Sequence, residues 1–212
     1  MRGMFEKRTV KDTAYKYWRQ GHAIVTFKVT AKGKKPLVEW KRWITNEQTE
    51  EEFNSQPWDR ANAFGIVCGR KLKNSLHAGA VDFDVKNVSE EAVAKGREIL
   101  RKLSITQRER TPSGGEHYIY YSRKEVESNK SFHSSHALEL IGKSTILIMA
   151  PSEGYVRLND NSPTEKTDLT AYFSELLGVT HVPKTQHWFD REDLKPYRGP
   201  NPACIKALFR GA

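Results

Sequence analysis

The sequence predicts an α+β protein with a mixed β-sheet flanked by helices, and three observations predict it. Ala80-Val81-Asp82-Phe83-Asp84-Val85 alternates apolar and acidic residues, the period-two pattern of a strand. Ser89, then Glu90 and Glu91, then Ala92, Val93, Ile99, Leu100 and Leu103 at helical spacing, read as a capped amphipathic helix. Arg108 to Tyr121 reads as a strand, a turn at Ser113-Gly114-Gly115 and a returning strand. Strand, helix and strand in that order put the acidic strand at the centre of the sheet.

The other elements follow in order. Residues 9 to 20 set Val10, Ala14, Tyr17 and Trp18 on one helical face, and Gly21 stops that helix. His22 to Val29 is a strand, Ala31 to Pro36 a basic loop, and Leu37 to Trp40 follows it. Thr45-Asn-Glu-Gln48 has capping-box form ahead of a short acidic helix through Phe53, which Pro57-Trp58 ends. Asn62 to Gly69 is a short apolar strand, and Arg70-Lys71-Leu-Lys73 is a second basic turn. Residues 124 to 136 are polar and predict a flexible loop. Ala137 to Gly142 and Thr145 to Ala150 are short strands, with a turn at Pro151 to Gly154. Leu169, Tyr172, Phe173, Leu176 and Leu177 mark a last helix, closed by Gly178. The expected organisation is one domain over residues 1–180, a proline-bearing linker over 181–202, and the first turns of a helical domain over 203–212. On this reading the chain is a piece of a longer protein.

Composition limits the function. The 212 residues carry 35 Lys and Arg against 26 Asp and Glu, a net charge of +9, which favours a polyanionic partner. With 37% hydrophobic and 10% aromatic residues the chain can build a core, which excludes a disordered protein. No apolar run has the length of a membrane span and no signal-peptide pattern opens the chain, so a cytoplasmic location with no membrane partner is expected. Cys68 and Cys204 have no neighbours at ligand spacing, so neither a zinc site nor a disulfide framework is indicated.

Four features could carry chemistry. Asp82 and Asp84 lie on one face of the strand, either as the acidic side of a half-exposed strand or as two carboxylates gathered on a divalent ion. Ser113-Gly114-Gly115-Glu116-His117 is either an ordinary hairpin turn or an anion-binding nest with a hydroxyl and an imidazole beside it. Glu139, between Leu138 and Leu140, is either solvated or a third ligand. The basic residues Lys34, Lys35, Arg70, Lys71 and Lys73 are either solvated turns or contacts to phosphate or template. Three strand-borne acids beside a Gly-rich turn are the parts of a two-metal phosphoryl-transfer site, a set shared by polymerases and nucleases.

These motifs resemble the prim-pol (bifunctional primase–polymerase) domain of the archaeo-eukaryotic primase superfamily, found in archaeal and bacterial plasmids and viruses. The likeness runs from about Ala14 to Gly154. It rests on Tyr17-Trp18 to Gly21, Gly33-Lys34-Lys35-Pro36 with Trp40, Ala63 to Gly69, Val81 to Val85, Thr111 to His117, Leu138-Glu139-Leu140 and Met149 to Ser152. Asn201 to Lys206 is similar to the start of the helical domain that often follows such modules. Two departures stand out. The third acid is Glu rather than Asp, and Ile141-Gly142-Lys143-Ser144 replaces the family's Arg-Gly-Asp-Gly-Gly run. With two cysteines, the chain also cannot carry the zinc-binding insertion of some relatives.

The resemblance implies a primase–polymerase fold with an RRM-like catalytic half, and template-directed addition of dNTPs or NTPs to a 3′-hydroxyl. It implies that Asp82, Asp84 and Glu139 hold two Mg²⁺ or Mn²⁺ ions. Ser113, Gly114, Gly115 and His117, with Lys143, would bind the nucleotide's phosphates. The implied partners are a single-stranded DNA template, a primer, and helicase and helical domains of the same parent chain. Two other classes stay open: a metal-dependent nuclease, and a non-catalytic nucleic-acid-binding module of a replication protein.

Overall fold

Thr9 opens the described part of the chain, which in this computed structural model comprises residues 9–179. The expected linker and the start of a further helical domain lie outside the described residues. The Thr9 hydroxyl accepts the backbone N–H of Asp12 and caps α1 (Val10–Arg19), whose Ala14 is fully buried. β1 (Ile24–Thr30) turns back into β2 (Gly33–Pro36), with Val29 opposite Lys34 and Lys28 opposite Lys35. The expected basic loop is therefore the turn and second strand of a hairpin. Its lysines sit on an edge strand, where exposed charge discourages pairing with another chain.

A short 3₁₀ turn (Lys41–Ile44) buries Trp43 ahead of α2 (Glu50–Asn54). The capping box of α2 is Thr49 with Glu52, not the expected Thr45 with Gln48. Gln48 is used elsewhere: its side-chain amide accepts the Ile24 N–H and donates to the Ile24 carbonyl. β3 (Ala63–Val67), β4 (His77–Phe83) and α3 (Glu90–Leu100) follow, α3 capped by Ser89 as the sequence indicates. Next come β5 (Gln107–Arg110), β6 (Glu116–Ser122), α4 (His133–His136), β7 (Leu138–Ile141) and β8 (Ile146–Met149). Last come β9 (Val156–Arg157), β10 (Thr164–Lys166) and α5 (Leu169–Leu176).

The strands form two sheets rather than the single one expected. The first has the order β2-β1-β3-β8 and is antiparallel throughout. The second has the order β7-β4-β6-β5-β9, with β10 pairing parallel to β6, so it is mixed. The acidic strand β4 lies between β7 and β6, inside its sheet as expected.

Both faces of β4 are covered. Val81 and Phe83 pack with Leu138, Leu140 and Tyr120 against α3 and α5. Ala78 and Ala80 face the other way and join Phe64, Ile66 and Met149 of the first sheet. The side expected to be polar is thus the seam between the two sheets. Asp82 ends the run of small residues on that face. Residues 124–136 also depart from the expected loop. Val126 is fully buried, and Asn129 exchanges both backbone hydrogen bonds with Leu140 (2.9 and 2.8 Å). One buried valine and one strand-like bridge tie a polar segment to β7. Its composition gave no sign of either.

Candidate active site

Register builds the site. Asp82 stands directly opposite Glu139 on β7 and directly opposite His117 on β6. His117 in turn is opposite Glu109 on β5, and Glu109 opposite Arg157 on β9. Directly opposed residues share a face and lie about 4.5–5.5 Å apart. Five strands therefore present Glu139, Asp82, His117, Glu109 and Arg157 as one row across the sheet.

Asp84 lies just past the end of β4. Its backbone N–H donates to the Ala137 carbonyl (2.9 Å), and its carboxylate accepts the Lys86 N–H. The glycine turn is pressed against the same strand end. A Cβ at Gly115 would collide with the Phe83 carbonyl oxygen, so only a glycine lets the turn approach this closely. Gly114 has different grounds: its φ of +87° is left-handed, while a Cβ there would touch only Val85. Gly115→Ala is accordingly expected to destabilise by about 3 kcal/mol, and Gly114→Ala by about 1 kcal/mol. Thermal melts of the two variants check the order. The Ser113 hydroxyl rests 3.0 Å from that of Thr111.

Electrostatics mark Asp82 as the centre. Burial, then the like charges of Glu139 and Asp84, push its carboxyl up to about 7, with Lys34 and His133 pulling it back. The imidazole of His117 is pushed down to about 3, by burial and then by Lys34, so it is neutral at physiological pH. Its Nε2 lies 3.6 Å from the Asp82 carboxylate. Lys34 reaches in from the β1–β2 hairpin, its ammonium 5.2 Å over the Tyr155 ring.

The other acids have basic side chains beside them. Glu139 lies 3.3 Å from Lys130, and Asp84 lies 3.5 Å from His133. Among the described residues, no three His, Cys, Asp or Glu side chains stand gathered as a ready ligand set. The chemistry of the donors still fits a divalent cation. Three hard oxygen donors come from neighbouring strand ends, and burial, then the charges of Glu139 and Asp84, oppose ionisation of Asp82. Such a group gains from a cation that enters among the carboxylates.

The remaining sequence candidates separate. Lys34 reaches the site. Lys35, Lys71 and Lys73 are exposed, and the Lys73 ammonium lies 5.9 Å from the Trp18 ring. Arg70 is 9% exposed and its guanidinium meets the Trp43 carbonyl at 3.5 Å, so it faces the interior rather than a polyanion. Lys143 is drawn 2.9 Å from Glu125 on the surface.

Sequence reading passed over Glu109, Tyr155, Lys130 and His133. Glu109 is fully buried, accepting from the Ala150 N–H (2.7 Å) and the Gln107 amide (2.8 Å). Burial raises its pKa against those two donors and Arg157. The alternation of Gln107 and Glu109 on β5 was the one available signal, since it puts both on the face of His117.

The fold and the site define an α+β domain with a carboxylate row at its sheet seam, beside a glycine turn and a neutral histidine. The model of the Prim-Pol family, described as bifunctional DNA primase/polymerase, N-terminal, matches residues 14–169. The chain belongs to that family, which carries a primase/polymerase role in replication. No curated protein matches it. Among the described residues no helix is long and apolar enough to cross a membrane.

Proposed function

We propose that this domain performs template-directed nucleotidyl transfer, as a DNA primase, a DNA-directed polymerase or both. The observation that carries the reading is the register that sets Asp82 between Glu139 and His117, with the glycine turn against the end of the same strand. The six-stranded sheet would be the RRM-like half of a primase–polymerase fold. Asp82, Asp84 and Glu139 would hold two Mg²⁺ or Mn²⁺ ions. Bound there, the ions would make the attacking 3′-hydroxyl more acidic and stabilise the departing pyrophosphate.

The chain's own groups have separate tasks. The Ser113 hydroxyl and the Gly114–Gly115 backbone would hold triphosphate oxygens. His117, being neutral, would donate one hydrogen bond to a phosphate and take no proton. Lys34 would add positive charge where the phosphates lie. Its place beside Asp82 and His117 favours it over Lys143 for that task. The exposed Lys35, Lys71 and Lys73 would meet the backbone of a single-stranded template or a primer, a contact that weakens with salt. The sequence likeness to plasmid and viral modules favours a replication protein of that kind, with helicase or helical domains in the same parent chain.

The test is incorporation of labelled dNTPs and NTPs on single-stranded DNA, with and without primer, in Mg²⁺ and in Mn²⁺. Product is expected with either ion and none with a chelator. Product without primer would make the domain a primase, and product only with primer an extending polymerase. Template degradation without incorporation would replace the proposal with a nuclease.

A further inference from the structure

The β1–β2 hairpin has two unlike halves. Ile24, Val25, Thr26 and Phe27 are buried, and β3 pairs with β1 along these four residues. From Lys28 on, the hairpin pairs with itself. The Asn62 side chain meets its open side, accepting the Val29 N–H (2.7 Å) and donating to the Val29 carbonyl (2.9 Å). All four residues of β2 are exposed. The outer half of the hairpin therefore projects from the first sheet as an arm that burial does not hold.

Positive charge is concentrated on this arm. Residues 24–38 contain Lys28, Lys32, Lys34 and Lys35 and no Asp or Glu. Among the described residues none of the four is in an ion pair, whereas Lys95, Lys124, Lys130 and Lys143 each have a carboxylate within 3.3 Å. Lys28 stands directly opposite Lys35. Like charges opposed on a two-stranded ribbon repel, and protecting an open edge needs only one of them. A polyanion against that face removes the cost.

The two faces of the arm point to different places. Lys34, with Phe27 and Pro36, takes the face that borders Asp82 and His117. Lys28 and Lys35 take the opposite face, and Lys32 lies in the turn at the tip. A strand held on the outer face reaches the acid row by bending round that tip. Unpaired nucleic acid bends in this way; a duplex, with a persistence length of about 150 base pairs, does not.

We propose that the β1–β2 arm is a guide for single-stranded DNA. Lys28, Lys35 and Lys32 hold phosphates of the strand on the outer face and lead it round the tip toward the acid row. Resting on the reading of that row as a nucleotidyl-transfer site, the assignment adds Lys28 and Lys32 to the template contacts and gives the strand a path. The contact is to phosphate, so it is indifferent to base sequence and weakens with salt.

The test is fluorescence anisotropy of a labelled mixed-sequence single strand, titrated with the whole chain in chelator across a salt series, with a duplex of the same length beside it. Lys28→Gln, Lys32→Gln and Lys35→Gln combined should weaken single-strand binding at least about tenfold at about 0.1 M salt. They should also flatten the log–log salt slope by about 2, as expected for three lost phosphate contacts. Arg97→Gln, Arg101→Gln and Lys102→Gln make the same change of charge on exposed residues at the end of α3, and should leave binding within about twofold. Lys35→Glu gives a second readout. Opposite Lys28 it should raise the melting temperature while weakening DNA binding, a pairing of effects that a purely structural lysine would not produce.

Equal losses in the two triple variants would reduce the arm to its share of net charge and overturn the guide, as would no single-strand binding by wild type. Duplex bound more tightly than single strand, with the same dependence on the arm, would overturn the single-strand assignment. If the arm variant binds like wild type while the wild-type chain incorporates nucleotides, the guide falls and the nucleotidyl-transfer reading stands. If wild type incorporates nothing while its single-strand binding depends on the arm, the DNA surface stands and that reading falls.

Discussion

Asp82→Asn is expected to reduce nucleotide incorporation by at least about a thousandfold while the protein stays folded, in keeping with the loss of a principal charge-stabilising group. The carboxylate stands between Glu139 and His117 in the row and is the acid most burdened by its neighbours. Asparagine keeps its shape and removes its charge, so the surroundings need not rearrange. Asp84→Asn should behave alike, since an amide oxygen can still accept the Lys86 N–H that holds the turn after β4. Incorporation assays at fixed metal concentration, with a circular dichroism spectrum to confirm folding, check both. Incorporation by Asp82→Asn at wild-type rate would remove the metal assignment altogether.

The second large effect is on stability, and its sign follows from the same crowding. Asp82 has a folded pKa of about 7 against an unfolded value of about 4. Between those limits the folded protein binds more protons than the unfolded chain. Its contribution is therefore fully present below pH 4 and is lost as pH rises through 7. His117 and His22 run the other way. Both are pushed down to about 3 by burial, so their contribution is present above about pH 6.5 and lost as pH falls toward 3. The raw profile mixes these trends, and the difference between wild type and Asp82→Asn isolates the first. At pH 8 and without metal, Asp82→Asn should be more stable than wild type by an amount on the order of a few kcal/mol. Adding Mn²⁺ should raise the melting temperature of wild type and leave that of Asp82→Asn nearly unmoved. A variant less stable than wild type at pH 8 would show that Asp82 is not a strained acid.

The pieces of the candidate site were legible in the sequence as local motifs, and their arrangement was not. Period-two alternation marked β4, and a glycine pair marked the turn before β6, because those signals are local. Alternation does not say which side faces solvent. Asp82 was expected on an open face and stands at the seam between two sheets, because Ala78 and Ala80 on its face are small enough for the first sheet to approach. The box at Thr45 failed because Gln48 serves the backbone of Ile24, a partner far away in sequence. Glu109 and Tyr155 were passed over because each is an isolated residue until register and packing bring it beside His117. Lys34 and Arg70 both looked like phosphate contacts, and only burial and position separate them.

The acid row also has a bearing on how the molecule comes together. Its members arrive on strands separated along the chain by a helix, a hairpin and the segment that carries α4. No short stretch of sequence contains the site, and no early local structure can hold it. Forming it requires non-local pairing of β4 with both β6 and β7, the kind of contact that is slow to form. Detachment of β7 alone would remove Glu139 and leave Asp82 facing His117. On the proposed function, competence to bind substrate would be a property of the fully assembled sheet, and a partly open molecule would be silent rather than careless.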